Sequence, residues 1–138
     1  MDILDTAAPE EWSNTYQTLY SADAIILVYS IIDKRTFQDL ETYYPHIQHL
    51  ATEKKMPPII LCGNKCDLEN ERAVTEEDGL SLAKSWRAIH FETSAKVLMN
   101  VDKMFEAATK AALQLPDTAV ADNSKEKKEK KEKRCVLM

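Results

Sequence analysis

Three runs of apolar, largely β-branched residues alternate with segments of helical periodicity, and this alternation constrains the fold more than any other feature. The runs begin at Ala24, Pro57 and Ala88 and read AIILVYSI, PPIILCG and AIHFET. Each run is followed by apolar residues spaced three or four positions apart, as on one face of an amphipathic helix. Strands that alternate with helices in this way predict an α/β domain built on a mostly parallel sheet.

The helical segments carry further signals. Thr75, followed three residues later by Asp78, predicts a capping box at the start of the second helix. Pro45 lies inside the first helix, where it removes one hydrogen bond and should bend the axis. The apolar faces of the three helices are expected to consist of Phe37, Leu40, Tyr44, Ile47 and Leu50, then Leu80, Ala83 and Trp86, then Val101, Met104, Phe105, Ala108 and Ala112.

The net charge of −5 conceals two different parts of the chain. Residues 125–134 carry seven basic and three acidic side chains, a local charge of +4, so the remainder carries −5 − 4 = −9. An acidic body does not favour nucleic acid, because phosphate binding needs a basic face. We therefore expect one domain over residues 1–114 and a solvated, hypervariable charged tail over residues 115–134.

Several other classes of protein are disfavoured. The longest apolar run, residues 24–32, is less than half of the roughly 20 residues that a bilayer span requires, and no secretory signal is evident. Three cysteines favour a reducing cytosol over a disulfide framework. Cys62 and Cys66 lack a second ligand pair at zinc spacing, and His46 and His49, one helical turn apart, lack a third ligand and are interpreted as surface residues.

Polar motifs follow two of the predicted strands. The first is NKCD at residues 64–67, and the second is TSAK at residues 93–96. Ligands bind at the carboxyl ends of strands in such sheets. The carboxylate of Asp67 can accept two hydrogen bonds from N1 and N2 of guanine, which adenine cannot donate. Each motif also fits an ordinary polar turn, and N-K-x-D is short enough to arise by chance, but two such loops at one sheet edge favour base binding.

The other residues of these motifs have expected tasks. The aliphatic stem of Lys65 can lie along a flat base, and Asn64 can tie the two loops together. The backbone amide of Ala95 can donate a hydrogen bond to the guanine carbonyl oxygen. Together with Asp67, these groups predict a site that distinguishes guanine from adenine.

The segments DTAAPEEW, LVYSI, NKCD and ETSAK resemble the ordered motifs of Ras-like small GTPases, and the terminal CVLM resembles their lipidation box. The resemblance covers residues 1–114 and the last four residues. It implies a P-loop NTPase-like G domain, here N-terminally truncated, with helices on both faces of the sheet. It also implies a signalling switch that binds GTP or GDP with Mg²⁺.

By resemblance, individual residues take the family's roles. Asp5 matches the aspartate that holds Mg²⁺ through water, and residues 7–19 match the second switch, which would contact exchange factors or effectors. The nucleotide-binding residues that the resemblance implies are Asn64, Lys65, Asp67, Ser94, Ala95, Lys96 and Ala8.

Two departures from the family pattern lie near the N-terminus. Ala8 stands where the family's D-x-x-G motif has glycine, so a methyl group is added beside the expected γ-phosphate. Pro9 stands at the position of the glutamine that orients the attacking water in the family, and proline has neither a side-chain amide nor a backbone N–H. Ala8 therefore predicts impaired switching, and Pro9 predicts that hydrolysis is lost or nearly so, with no catalytic residue retained. An Ala8-Pro9 turn ahead of a helix starting near Glu10 fits the same residues.

The family's phosphate-binding G-x-x-x-x-G-K-[ST] loop does not occur in residues 1–138, nor do its first switch and first two strands. Neither Gly63 nor Gly79 replaces them. Two or three remaining charge-assisted hydrogen bonds, at about 1.5 to 3 kcal/mol each, predict roughly millimolar to micromolar affinity for nucleotide. An open apolar edge is expected beside the strand at Ala24. Met1 falls inside the family's third strand, which indicates an internal start, a splice form or an incomplete gene model.

The C-terminus predicts a lipid anchor. CVLM fits a C-a-a-X box, so we expect a prenyltransferase to farnesylate Cys135, although a cysteine can also fall at this position by chance. One lipid binds membranes weakly and needs a second signal. The preceding basic run is diluted by glutamates, which fit a charged helix equally well. We expect partial, reversible residence on the cytosolic face of the plasma membrane or an internal membrane, with a cytosolic pool.

Two functional classes follow from these features. One is a Ras-like guanine nucleotide switch, impaired in hydrolysis. The other is a non-cycling prenylated interaction module or decoy, or a fragment of a longer GTPase, that presents residues 7–19 to regulators. A monomer is expected in either case. The sequence just upstream of Met1 separates the two classes, because the first predicts an in-frame phosphate loop there.

Overall fold

The structure, a computed structural model, describes residues 2–5, 19, 21–50, 56–113 and 134–138. Within these residues, one sheet of five strands has the order β1-β5-β2-β3-β4. Every neighbouring pair is parallel. The strands are β1 (Asp2–Asp5), β2 (Ala24–Ser30), β3 (Ile59–Asn64), β4 (Ile89–Glu92) and β5 (Arg134–Leu137).

Three helices follow β2, β3 and β4 in turn, which confirms the predicted alternation. They are α1 (Lys34–Leu50), α2 (Glu76–Trp86) and α3 (Val101–Leu113), with a short 3₁₀ turn at Glu69–Glu71 between β3 and α2. Pro45 lies inside α1. Among the described helices, none combines the length and the apolar character that a membrane crossing requires.

Alternating residues of the central strands bury their side chains on opposite faces of the sheet. Ile25 and Leu27 of β2 share a buried cluster with Leu40 of α1 and Ala83 of α2. Ile26, between them, shares a second buried cluster with Ala108 of α3. The predicted α/β class, with helices on both faces of a parallel sheet, is confirmed.

Four residues determine where helix α2 begins and which face it buries. Thr75 and Asp78 form the predicted capping box, with each side chain accepting a hydrogen bond from the other's backbone N–H. The buried face is formed by Gly79 and Ala83. A side chain at Gly79 would collide with the Tyr29 hydroxyl and with Nε2 of His90, so only glycine permits this approach.

One predicted core residue of α2 is not buried. Leu80, predicted to belong to the apolar face of the helix, is 50% exposed. The buried face is set by Gly79 and Ala83, which are four residues apart, and Leu80 lies one helical step beyond Gly79. Close backbone packing at a glycine therefore determines the orientation of this helix, and the larger apolar residue points outward.

The expectation of an open apolar edge on β2 is wrong for this structure. Residues Ala24–Ile26 pair with Cys135–Leu137 of β5, and β5 pairs on its other side with Asp2–Asp5 of β1. The extreme C-terminus thus supplies a strand inside the sheet, since its apolar run satisfies both neighbouring ladders. The charged tail predicted over residues 115–134 falls, up to residue 133, outside the described residues.

Candidate functional site

The two polar motifs meet at the carboxyl ends of β3 and β4. Gly63 of β3 lies opposite Glu92 of β4 in the parallel register. Beyond that pair, the Thr93 N–H donates to the Gly63 carbonyl at 2.8 Å, and the Cys66 N–H donates to the Thr93 carbonyl at 3.0 Å. These backbone bonds continue the pairing past the strands, so residues 64–67 and residues 93–96 form neighbouring loops.

Asn64, the last residue of β3, connects the two loops through its side-chain oxygen. Oδ1 accepts hydrogen bonds from the Lys65 N–H at 2.8 Å and from the Ala95 N–H at 3.3 Å. Lys65 adopts a left-handed backbone with φ of 67°, a conformation that asparagine's local hydrogen bond helps to support. The expected link between the loops is present, and the Lys65 side chain is exposed above it.

Asp67 is held by a buried hydroxyl group from the second loop. Ser94 is 0% exposed, and its Oγ donates to Oδ1 of Asp67 at 2.5 Å. The Val97 N–H donates to the same Ser94 hydroxyl at 3.3 Å. Among the residues that the structure describes, none donates to Oδ2 of Asp67. One carboxylate oxygen is therefore fixed, and the other is available to a ligand on the partly exposed side.

The second loop closes on itself directly after the motif. Ser94 and Met99 exchange two backbone hydrogen bonds, at 3.1 and 3.0 Å. Leu98 and Asn100 have φ values of 55° and 57°, and the Asn100 amide donates to the Glu92 carbonyl at 2.9 Å. This tight closure presents Ala95 and Lys96 at the surface.

A partly buried ion pair next to the loops was not predicted from the sequence. Arg72 donates through Nη1 and Nη2 to the carboxylate of Glu92 at 2.6 and 2.8 Å, and its Nη2 also bonds Glu69 at 2.6 Å. The Arg72 and Glu92 side chains are 16% and 15% exposed. Bonds to these two carboxylates raise the pKa of Arg72, so the guanidinium stays charged and joins the 3₁₀ turn to the end of β4.

A second unpredicted contact lies deeper, between β2 and β4. The Tyr29 hydroxyl and Nε2 of His90 are 3.0 Å apart. Burial raises the pKa of Tyr29, assisted by the negative charge of Glu92, and burial lowers the pKa of His90. Both groups are therefore neutral at neutral pH and share one hydrogen bond. Pairs distant in sequence, such as this one and Arg72–Glu92, carry no local periodic signal.

The remaining predicted site residues lie elsewhere or beyond the description. Asp5 ends β1 with an exposed side chain, beside Leu137 in the register. In the described ranges, no group of three His, Cys, Asp or Glu residues is placed to hold a metal ion. Ala8, Pro9 and the switch segment 7–18 lie outside the described residues.

Comparisons with known proteins identify the family of this chain. A family model described as "Ras family" matches residues 1–114. Ras-like protein 1 of Saccharomyces cerevisiae is 45% identical over 106 residues, which cover 76% of this chain and 34% of that protein. Circularly permutated Ras protein 2 of Dictyostelium discoideum is 40% identical over 120 residues, which cover 86% of this chain and 3% of that protein. The chain thus spans about a third of the length of the first relative and a small part of the second.

Proposed function

The chain belongs to the Ras family, and we propose that it binds the base of a guanine nucleotide between residues 64–67 and residues 93–96. The observation that carries this proposal is the 2.5 Å bond from Ser94 to Oδ1 of Asp67. It fixes the carboxylate while leaving Oδ2 available. A carboxylate held in one orientation can accept from both N1–H and N2–H of guanine, a pair of donors that adenine lacks.

The other groups complete recognition of the base. The Ala95 N–H donates to Asn64 Oδ1 at 3.3 Å, so this amide, proposed to donate to the guanine carbonyl oxygen, would have to share its hydrogen with Asn64 or release it when the base binds. The exposed stem of Lys65 covers one face of the ring. Because the loops are already tied to each other, little conformational freedom is lost on binding, which favours affinity.

Hydrolysis is proposed to be impaired. Pro9 offers no side-chain amide to orient water, and Ala8 narrows the backbone freedom next to the γ-phosphate. For the same reason, a second candidate function is a non-cycling module that presents its surface to exchange factors or effectors. Pro9 is the observation that favours this candidate, because such a module does not need turnover.

Membrane attachment through a farnesyl group on Cys135 is the third part of the proposal. The CVLM terminus supports it, and the basic residues of 125–134 would add electrostatic attraction to an anionic leaflet. A prenyltransferase is the required partner, and the cytosolic face of the plasma membrane or an internal membrane is the proposed location.

The base-recognition proposal is tested by nucleotide competition on purified residues 1–138. Calorimetric titration with GDP, IDP and ADP separates the contacts, because the base of IDP lacks only the 2-amino group. We expect GDP to bind at micromolar to millimolar concentration, IDP about tenfold or more weakly, and ADP not measurably, since each charge-assisted hydrogen bond contributes about 1.5 to 3 kcal/mol.

Substitutions test whether Asp67 is the residue that distinguishes GDP from IDP. Asp67→Ala should abolish the difference between GDP and IDP, whereas Asp39→Ala, which removes an exposed carboxylate from α1, should preserve it. Equal binding of GDP and ADP by the unmodified chain would contradict the proposal. A difference between GDP and IDP that survives Asp67→Ala would assign recognition to another group.

A further inference from the structure

The last five residues occupy an interior position of the sheet. Cys135 of β5 lies opposite Ile3 of β1 on one side and Ala24 of β2 on the other. The ladder extends past β5, because the Met138 N–H donates to the Ile26 carbonyl at 2.6 Å and the Met138 carbonyl accepts from the Val28 N–H. Residues 134–138 therefore pair over their full length.

The side chains of this segment alternate between the two cores. Cys135 lies in the buried cluster formed with α3, and Leu137 packs against the same cluster. Val136 lies in the opposite cluster, against which Met138 packs. Cys135 is 3% and Val136 is 2% exposed. A strand that buries successive residues on both faces is a core strand, and not an accidental edge contact.

Removal of this segment would leave two unpaired edges. Among the described strands, β1 pairs only with β5, and its residues Ile3 and Leu4 are already 47% and 50% exposed. The residues Ala24–Ile26 of β2 would also lose their ladder partners on that side. Unpaired apolar edges favour association with other chains. The groove between β1 and β2 is thus a receptor for an extended apolar segment.

We propose that the groove between β1 and β2 is a strand-acceptor site for the chain's own residues 134–138, and that its occupation excludes covalent modification of Cys135. The strand-acceptor part stands on pairing and burial alone. The consequence for prenylation rests on the lipidation proposed above. The strand-acceptor site can exist even if Cys135 is never prenylated, so each part has its own experiment.

The chemistry explains the exclusion. In prenyl transfer, the Cys135 sulfur bonds to C1 of a prenyl diphosphate, the C1–O bond breaks, diphosphate leaves with the electron pair, and the thiol proton passes to solvent. A transferase must first surround the terminal segment in an extended form. The buried sulfur also has no room for a farnesyl chain, since even added methylenes strain a packed core. Only the released segment can react.

The groove and the transferase compete for residues 134–138. Modification of Cys135 therefore depends on the fraction of molecules in which this segment is released from the sheet. If only a small fraction of the molecules is in the released state, the modification rate is reduced to that fraction of the rate of the free peptide. Once Cys135 carries the lipid, residues 134–138 cannot re-enter the groove. In the modified chain, β1 and β2 therefore stay unpaired with this segment. Lipidation and completion of the sheet are therefore alternative fates of one segment.

Site-specific alkylation of the native chain tests the strand-acceptor site. Residues 1–138 are treated with iodoacetamide, and modification of each cysteine is followed by mass spectrometry of its peptide. Cys62, 2% exposed in β3, is the buried control, and the partly exposed Cys66 is the reactive control. We expect Cys135 to react about 100-fold or more slowly than in the synthetic peptide KEKRCVLM, since only local opening exposes it.

A substitution next to Cys135 shifts the equilibrium between the paired and the released segment without changing the thiol. Val136→Glu places a charge in the core and should raise the Cys135 rate toward that of the matched Val136→Glu peptide, while Cys62 stays protected. If Cys62 also becomes reactive, the substitution unfolds the sheet. The alkylation rate of Cys135 in the chain without the substitution then decides whether the strand-acceptor site exists. Alkylation of native Cys135 at the peptide rate would overturn the strand-acceptor site.

Farnesyl transfer tests the consequence separately. With a protein farnesyltransferase and farnesyl diphosphate, the KEKRCVLM peptide should be modified about 100-fold faster than the folded chain, and Val136→Glu should reduce this ratio when each chain is compared with its own peptide. A peptide that is not modified refutes the lipidation but leaves the alkylation result standing. Equal rates for peptide and chain, with Cys135 protected from iodoacetamide, would refute the exclusion.

Discussion

The strands at the two ends of the sheet, β3–β4 and β1, are held in place by different contacts. Around β3 and β4, backbone bonds and the Asn64 bridge connect the two motif loops, and the Arg72–Glu92 ion pair joins the 3₁₀ turn to the end of β4. All four residues of β1 are exposed, by contrast, and β1 depends on β5 for its pairing among the described strands. The base-recognition end is therefore encoded by one continuous stretch of sequence, while the β1 end needs residues from the far end of the chain.

The largest effect should come from matched truncations in the two regions. Ile60→Ala in β3 removes a side chain that is 0% exposed, and a cavity of this kind costs about 2 to 5 kcal/mol. Ile3→Ala in β1 shortens a side chain that is 47% exposed, so its cost should stay below about 1 kcal/mol. Urea unfolding measures both, and equal losses would remove the distinction between the regions.

Breaking the ion pair should come next in size. Arg72→Met leaves the Glu92 carboxylate, which is 15% exposed, without its main partner. Breaking a buried pair costs about 3 to 5 kcal/mol, and the residual exposure here places the expected loss at the lower end. The double variant Arg72→Met with Glu92→Leu should recover much of the stability, because no unpaired charge remains. A double variant no more stable than Arg72→Met would disprove this explanation.

A smaller effect is expected at the hydroxyl that orients the carboxylate. Ser94→Ala removes the bond to Asp67, and we expect affinity for GDP to fall about tenfold, as for one hydrogen bond to a charged group. The exposed Ser81→Ala on α2 is the control and should leave affinity unchanged. Unchanged binding by Ser94→Ala would show that Asp67 does not need this support.

The smallest effect concerns pH. Burial lowers the pKa of His90 below the ordinary value of 6.5, against opposing contributions from Glu92 and Glu76. The unfolded chain therefore takes up a proton before the folded chain does, and stability falls as pH decreases below about 6.5. His90→Gln should flatten this part of the curve of urea midpoint against pH. A curve of unchanged slope would assign the dependence to other groups.

Most of the fold could be predicted because its signals are local. The strands at Ala24 and Ile59, the capping box at Thr75 and the stripe on α3 all follow from neighbouring residues. Leu80 was misplaced because the close approach of Gly79 to Tyr29 and His90 is a tertiary constraint. Hydrophobic periodicity alone contains no information about such an approach.

The C-terminal strand shows the same limit in a stronger form. Four apolar residues after a charged run fit a lipidation box and a buried strand equally well, because both require an extended apolar segment. In the structure this segment forms a strand because β1 and β2, more than a hundred residues away in sequence, both pair with it. The candidate site was easier to predict, since Asn64 ends a strand and Asp67, Ser94 and Ala95 closely follow strand ends. Arg72 and Glu92, by contrast, meet only in the folded chain.

The most direct test of the account compares guanosine with GDP on residues 1–138, with and without Mg²⁺. The contacts proposed for the nucleotide all lie at the base-recognition loops, and Asp5 is an exposed residue at the end of β1. We therefore predict that the two ligands bind with Kd values within about threefold of each other, because tenfold corresponds to about 1.4 kcal/mol of additional contact. A Mg²⁺-dependent preference for GDP of a hundredfold or more would contradict the account.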